Sequence, residues 1–315
     1  MKHLSSNHSP SPSKQSGIAV VSAMLLAAMV VTLASTMIFQ QQKLINQIEN
    51  HFSASQARWM ADASIQWSRT ILAEDAKAGS VDHLKEPWAT QLPATPFEGG
   101  LINGYMTDQQ GFCNLNNLAR SGAGNLEESD FLKRLMSSIG GNPGNIDALV
   151  DWIDADFQIT IPDGAEDSYY LTQPNPYRAA NQPLSEIGNL TRVQGFTAEN
   201  IARLSQYCVV LPEPTPVNIN TAPEALLGLM LPGLGEYELE AIAAQRNVKP
   251  FETLEEFRKL VAEKKISVSE ASFSVGSKYF LITSQTRFGN STMHVKALLK
   301  RDGAGWPQIL WKRYG

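Results

Sequence analysis

The sequence predicts an α+β protein in which a long N-terminal helix packs on an antiparallel sheet and a large helical domain interrupts that sheet. Three observations carry this. Residues Ile18–Lys77 contain neither Pro nor Gly. Apolar-rich or alternating runs cluster near residues 101–116 and again at 275–314. The roughly 150 residues between them read mostly as helix.

The helix comes first. Ile18–Phe39 contains no Asp, Glu, Lys or Arg. A bilayer core needs about 20 apolar helical residues, so this run is long enough to span it. Before it lies a polar leader whose charged side chains are Lys2 and Lys14. Behind it, Ile45, Ile48, Phe52, Trp59, Ala63, Trp67 and Ile71 recur at helical spacing and predict a face packed on a soluble domain. One helix of this length would reach about 90 Å. A cleaved secretory peptide fits poorly, because its apolar core is shorter.

Lys14-Gln15-Ser16-Gly17 directly before the apolar run resembles a prepilin leader, cut after glycine by prepilin peptidase with the apolar helix retained. The resemblance implies a mature chain starting at Ile18, with methylation. Pilin-like proteins usually carry Glu at mature position five, where this chain has Ser22. That departure resembles one family, the large minor pseudopilins of type II secretion, general secretion pathway protein K.

Composition suits a packed protein: 43% hydrophobic and 8% aromatic residues. A net charge of −5 opposes general affinity for polyanions. The two cysteines, Cys113 and Cys208, suit one disulfide in an exported protein; two separate buried thiols is the alternative.

From Gly79 to Leu101 repeated Pro and Gly predict a loop, pinned by Trp88 and Phe97. Leu101–Thr107 reads as a strand, Asp108–Gly111 as a turn and Phe112–Asn116 as a second strand, together an antiparallel hairpin. The Asp108–Leu118 segment resembles protein K sequences. At the far end Val275–Thr286, Met293–Arg301 and Pro307–Tyr314 read as three more strands. The expected boundaries are 1–17 leader, 18–39 membrane span, 40–118 first part of the pseudopilin domain, 119–272 inserted α-domain, and 273–315 C-terminal strands.

Within the insertion, Glu127–Ile139 reads as a helix ended by Gly140-Gly141. Asn145 is the expected cap of the next helix. Ile146, Leu149, Val150 and Ile153 share its apolar face, and Asp147, Asp151 and Asp154 fall on other sides. A loop crowded with carboxylates follows. It contains no His or Cys for a transition metal and no triad logic for hydrolysis. A solvated acidic surface is one reading. Calcium, which takes six to eight oxygen ligands, is the metal that fits best, although the spacing is not that of an EF-hand. Asp151–Asp156 and Gly164–Tyr170 resemble the protein K segment, and that family binds calcium here. The resemblance implies Asp154, Asp156, Asp163, Glu166 and Asp167 as candidate ligands of a structural ion.

Thr221 with Glu224 reads as a capping box, and Leu231-Pro232-Gly233-Leu234-Gly235 as a tight turn between helices. The unit resembles a helix-hairpin-helix, which grips DNA phosphates in other proteins. Glu236, Glu238 and Glu240 precede its first arginine, Arg246, and oppose a polyanion. A structural or protein-binding module is the expectation. A membrane-anchored DNA-uptake factor and a membrane-anchored hydrolase are the alternatives.

The resemblance implies a pseudopilin fold, no catalysis, and a single-pass inner-membrane anchor with the soluble part in the periplasm of a Gram-negative bacterium. It also implies a place at the pseudopilus tip beside the I and J minor pseudopilins, and a role in starting pseudopilus assembly.

Overall fold

A computed structural model describes residues 15–122, 125–262, 266 and 268–315. The leader up to Lys14 lies outside them. Helix α1 spans Gln15–Ala78 without a break. Its first part, through Phe39, is exposed along nearly its whole length. It is the one helix among the described residues long and apolar enough to cross a membrane.

The strands are β1 (Leu92–Phe97), β2 (Gly100–Asp108), β3 (Cys113–Asn114), β4 (Cys208–Val209), β5 (Val217–Asn218), β6 (Phe273–Ser274), β7 (Tyr279–Phe288), β8 (Ser291–Lys300) and β9 (Gln308–Tyr314). Five of them form an antiparallel sheet in the order β1-β2-β7-β8-β9. The C-terminal runs read as strands are strands. The expected loop before residue 101 instead contains β1, with Pro93 and Pro96 in it. An edge strand tolerates Pro because its outer N–H groups need no partner. Glu98 and Gly99, both at positive φ, make the tight turn into β2.

The expected hairpin of 101–107 with 112–116 does not form. β2 pairs with β7, Asp108 opposite Phe280. The Asp108 side chain then caps a 3-10 turn at Gln109–Gly111, and the chain leaves the sheet. β3 pairs in parallel with β4. Its flanking Asn residues are buried acceptors and donors, not a solvent face. Asn114 Nδ2 donates to Glu213 O (2.8 Å), Asn116 Nδ2 to Leu211 O (2.8 Å) and Asn117 Nδ2 to Thr215 O (2.9 Å).

α1 meets the sheet with small residues. Ala57, Ala61, Ser64 and Ser68 are buried, together with Met60, Ile65 and Leu72. Ala61, Ile65, Leu72 and Trp88 pack on Phe280, Ile282, Val295, Ala297 and Leu299. The stripe expected to face the domain is met in part: Ala63 and Ile71 are half-buried, Ile71 against the sheet core, Phe52 packs on Phe288 and Trp59 on Phe97, while Ile45, Ile48, Phe52, Trp59 and Trp67 remain about half exposed. Small side chains let the helix backbone approach the sheet, which leaves much of the bulky stripe half exposed at its margin.

The inserted domain holds α2 (Leu126–Ser138), α3 (Asn145–Ile153), α4 (Asp167–Tyr170), α5 (Ala198–Leu204), α6 (Glu224–Met230), α7 (Glu236–Val248) and α8 (Leu254–Val261). Its core takes in Cys113, Leu115 and Leu118 from before residue 119, and Phe273 from after residue 272. α3 is buried on every side, its aspartates included. Gly144, not Asn145, is its N-cap residue; the Asn145 amide donates to Gly195 O (2.8 Å). Pro223 precedes α6, and Thr221 Oγ1 donates to Asp108 Oδ2 (2.6 Å) rather than capping.

A buried polar junction holds the two domains together. Arg301 Nη1 donates to Asp75 Oδ2 (2.7 Å), and Nη2 donates to Asp82 Oδ2 (2.7 Å) and Ser277 O (3.0 Å). Ser277 N donates to Asp82 Oδ2 (2.6 Å), and Ser277 Oγ donates to Asp108 Oδ2 (2.6 Å). Asn218 Nδ2, from the insertion, donates to Asp82 O (3.1 Å) and Asp108 Oδ2 (3.1 Å). The junction therefore joins the end of α1, both chain crossings and the inserted domain. The opposite end of the sheet lies lower on α1: the Phe288 ring packs on Phe52, and Gly289 lies against Ser53. The insertion thus leaves the sheet at the end remote from the apolar span. Ala78 lies about 58 Å of helix beyond Phe39.

Candidate functional site

Asp154 ends α3 and opens the carboxylate loop. Asp154, Asp156 and Glu166 each offer an oxygen within 4.8 Å of the others. Asp154 is 3% exposed and Glu166 4%. Asp154 Oδ1 and both Glu166 oxygens find no hydrogen-bond partner among the described residues. Burying such atoms without a donor or cation is costly. Desolvation pushes the Asp154 carboxyl up to about 6, helped by the negative charges of Asp156 and Asp151. Desolvation, with Asp151 and Asp154 beside it, pushes Glu166 up to about 7.

Asp163 and Asp167 are not in this set. Asp163 is exposed and packs against Gly144. Asp167 Oδ1 accepts from Ala179 N (3.0 Å), and its Oδ2 lies 3.7 Å from Arg178 Nε. Two further polar side chains lie beside this set. Fully buried Asp151, one turn before Asp154, accepts from Thr160 N (3.0 Å), and desolvation raises its pKa. Its i,i+3 spacing to Asp154 was the available signal. Asn181 Nδ2 donates to Asp156 O (2.9 Å), while its buried Oδ1 has no partner among the described residues. Nothing in the spacing connects Asn181 to residue 156. The donors are all oxygen, which suits a hard cation of the calcium type and no soft metal.

A second acidic group, Asp75, Asp82 and Glu86, is different. Arg301 already sits on Asp75 and Asp82. Glu86 accepts from Trp88 Nε1 (2.6 Å), and burial pushes it up to about 7.

Cys113 and Cys208 face each other across β3 and β4, with Cα atoms 4.4 Å apart, and are joined as a disulfide. At the helix-hairpin-helix turn, Gly233 has φ +107°. Gly235 N, which would receive a phosphate, donates instead to Glu238 Oε2 (2.8 Å). Arg246 turns inward and donates to Ile219 O (2.9 Å) and Ala222 O (2.6 Å). An amide occupied by a carboxylate and an inward arginine both oppose nucleic acid.

On α1, Gly17 and Ile18 are exposed at the start of the apolar run. Ser22 Oγ donates to Ile18 O within the same helix. A hydroxyl satisfied this way needs no charged partner, unlike a carboxylate.

Two family models, each described as Type II secretion system (T2SS), protein K, match residues 111–213 and 217–276. The chain is 29% identical over 317 residues to Type II secretion system protein K of Pseudomonas aeruginosa, covering 96% of this chain and 93% of that protein. It is 30% identical over 259 residues to the protein of the same name from Aeromonas hydrophila, covering 76% and 78%. A chain in the crystal structure of the GspK-GspI-GspJ complex from the enterotoxigenic Escherichia coli Type 2 Secretion System superposes with a TM-score of 0.71. That match has 24% identity and covers 85% of this chain and 99% of that one. A membrane-length helix on an antiparallel sheet, interrupted by a domain that both family models match, thus belongs to the protein K family, the large minor pseudopilins of type II secretion.

Proposed function

We propose that this minor pseudopilin caps the tip of the pseudopilus and helps start its assembly, as a non-catalytic subunit beside the I- and J-type minor pseudopilins. The observation that carries this is the position of the insertion. It grows from the sheet end remote from the apolar span, above the last turns of α1. A subunit stacked on that end would meet the inserted domain, so growth beyond it is blocked. Neighbours can still pack from the side and below, where Ile45, Ile48, Phe52, Trp59 and Trp67 are exposed along α1. The solved GspK-GspI-GspJ complex supports partners of the same kind here.

In this reading prepilin peptidase cuts between Gly17 and Ile18 on the cytoplasmic side. Residues 18–39 stay in the inner membrane, and the remainder lies in the periplasm. Asp154, Asp156 and Glu166 hold a calcium ion, with Asp151 and Asn181 beside them. The ion would neutralise buried carboxylates that otherwise repel one another, and so fix the loop structurally.

The test mixes the periplasmic part of this chain with those of the I and J pseudopilins of the same organism. Native mass spectrometry should find one copy of each. Absence of a complex, or an open series of repeated copies of this chain, would count against the tip reading.

A further inference from the structure

The loop that follows α3 carries a surface with no partner among the described residues. Phe157, Ile159 and Ile161 alternate along it and are 75%, 51% and 87% exposed. Between them Thr160 turns inward, its N–H held by Asp151. Phe157 and Ile159 lie in coil and Ile161 opens a turn closed by Gly164 N donating to Thr160 O (2.7 Å), so these apolar side chains face solvent, although β-branched and aromatic residues of this kind normally pack in a sheet. Leu126, at the start of α2, is 82% exposed. It lines one concavity of about 330 Å³ with Ile159 and Ile161. Contiguous exposed apolar side chains of this sort mark interaction sites.

The charges around it indicate the occupant. Asp130, Asp147, Asp154 and Asp156 line the concavity. Lys133, the basic residue in the lining, is committed to Asp147 at 2.6 Å. The surround stays negative even with a divalent cation on the neighbouring carboxylates. A second copy of this chain would bring the same negative rim and be repelled. An anionic membrane would be repelled likewise.

We infer that this surface docks an extended segment of another protein, one that presents apolar side chains flanked by Lys or Arg. Leu126, Ile159 and Ile161, with Phe157 exposed beside them in the loop, receive its apolar side chains, and Asp130 at the concavity receives a basic end. The surface lies on the inserted domain, off the α1 stripe on which neighbouring subunits pack, so its failure would leave the tip reading standing.

The experiment uses the full chain in nanodiscs of zwitterionic lipid, with empty discs subtracted, in millimolar calcium. The probes are a synthetic peptide with alternating leucines and lysine at both ends, and the same peptide with glutamate for lysine. The lysine peptide should bind saturably and weaken with salt, while the glutamate peptide should not bind. Ile161→Ser with Phe157→Ser should weaken binding about tenfold or more, as loss of buried apolar side chains would. Both residues are exposed, so the fold should survive, and an unchanged circular dichroism spectrum checks this. Equal binding of both peptides, no binding of either, or full binding to the double variant would overturn the inference. So would association of the chain with liposomes, wild type but not the double variant, in place of peptide binding.

Discussion

Replacing Arg301 by Ala tests how the two domains are joined. The guanidinium holds Asp75 and Asp82, whose side chains are 8% and 1% exposed, and is itself 6% exposed. Without it, two buried carboxylates lose their cation, and Ser277 O loses a donor. Breaking a buried pair by removing one partner costs about 3–5 kcal/mol, because the remaining charge is left uncompensated. For a soluble part of this size that is roughly 6–20 °C in Tm. The pH dependence gives a sharper criterion. Desolvation already pushes Asp82 up to about 6, against the opposing pull of Arg301. Loss of Arg301 pushes it further. A carboxyl whose pKa is higher in the folded than in the unfolded state stabilises the fold below its unfolded value, and that stability is lost as pH rises through the folded value. The variant should therefore lose more Tm at pH 7.5 than at pH 5. Thermal unfolding of the chain lacking residues 1–42 measures both. A loss under 1 kcal/mol, or the same loss at both pH values, would refute the account of the junction. Adding Asp82→Asn should recover part of the loss.

Three more predictions rest on other parts of the molecule. Calcium at a hundredfold excess over its Kd should stabilise the soluble part by about 2.7 kcal/mol. Asp154→Ala with Glu166→Ala should abolish that gain, and a Tm indifferent to millimolar calcium would remove the ion from the account. In chelator the wild type should lose stability between pH 5 and 7.5, because Asp154 and Glu166 have raised pKa values and must ionise while buried. Cys113→Ser should destabilise the inserted domain by about 2–5 kcal/mol, since the bridge closes a loop of 95 residues; alkylation of two free thiols in exported protein would contradict this. Mass spectrometry of membrane-extracted protein should give Ile18 as the first residue, and an intact Met1 would exclude processing at Gly17.

Much of the fold was legible where one local signal dominates. The unbroken helix follows from the absence of Pro and Gly, and the C-terminal strands from apolar runs broken at Gly289-Asn290. The errors have physical causes. β1 was hidden by Pro93 and Pro96, which read as loop unless the strand is known to be an edge. The contact face of α1 is only partly marked by the bulky stripe, through Ile71 and the edges of Phe52 and Trp59, because periodicity weights bulky residues, whereas the sheet also accepts Ala57, Ala61, Ser64 and Ser68. The polar alternation at Asn114 and Asn116 reads as a half-exposed strand, but its amides satisfy backbone carbonyls up to 99 residues away. Within the carboxylate loop, composition shows the carboxylates but not their arrangement. Which carboxylates converge depends on the path of the loop: it brings Asp154, Asp156 and Glu166 together, leaves Asp163 and Asp167 out, and sets Asp151 and Asn181 alongside, bonded to Thr160 N and Asp156 O.

The claim that the insertion makes this chain a terminal subunit has a direct test. Asp108 stands opposite Phe280 in the sheet, so a short turn can replace residues 110–278 and close β2 onto β7. Cells overproducing the major pseudopilin would carry either the full chain or this excised chain, each in excess, and fibre length would be measured by electron microscopy. The full chain should keep fibres short and be labelled only at their ends. The excised chain should let them lengthen and be incorporated along the shaft. Equal shortening by both chains, or immunogold label on the full chain along the shaft, would contradict the cap.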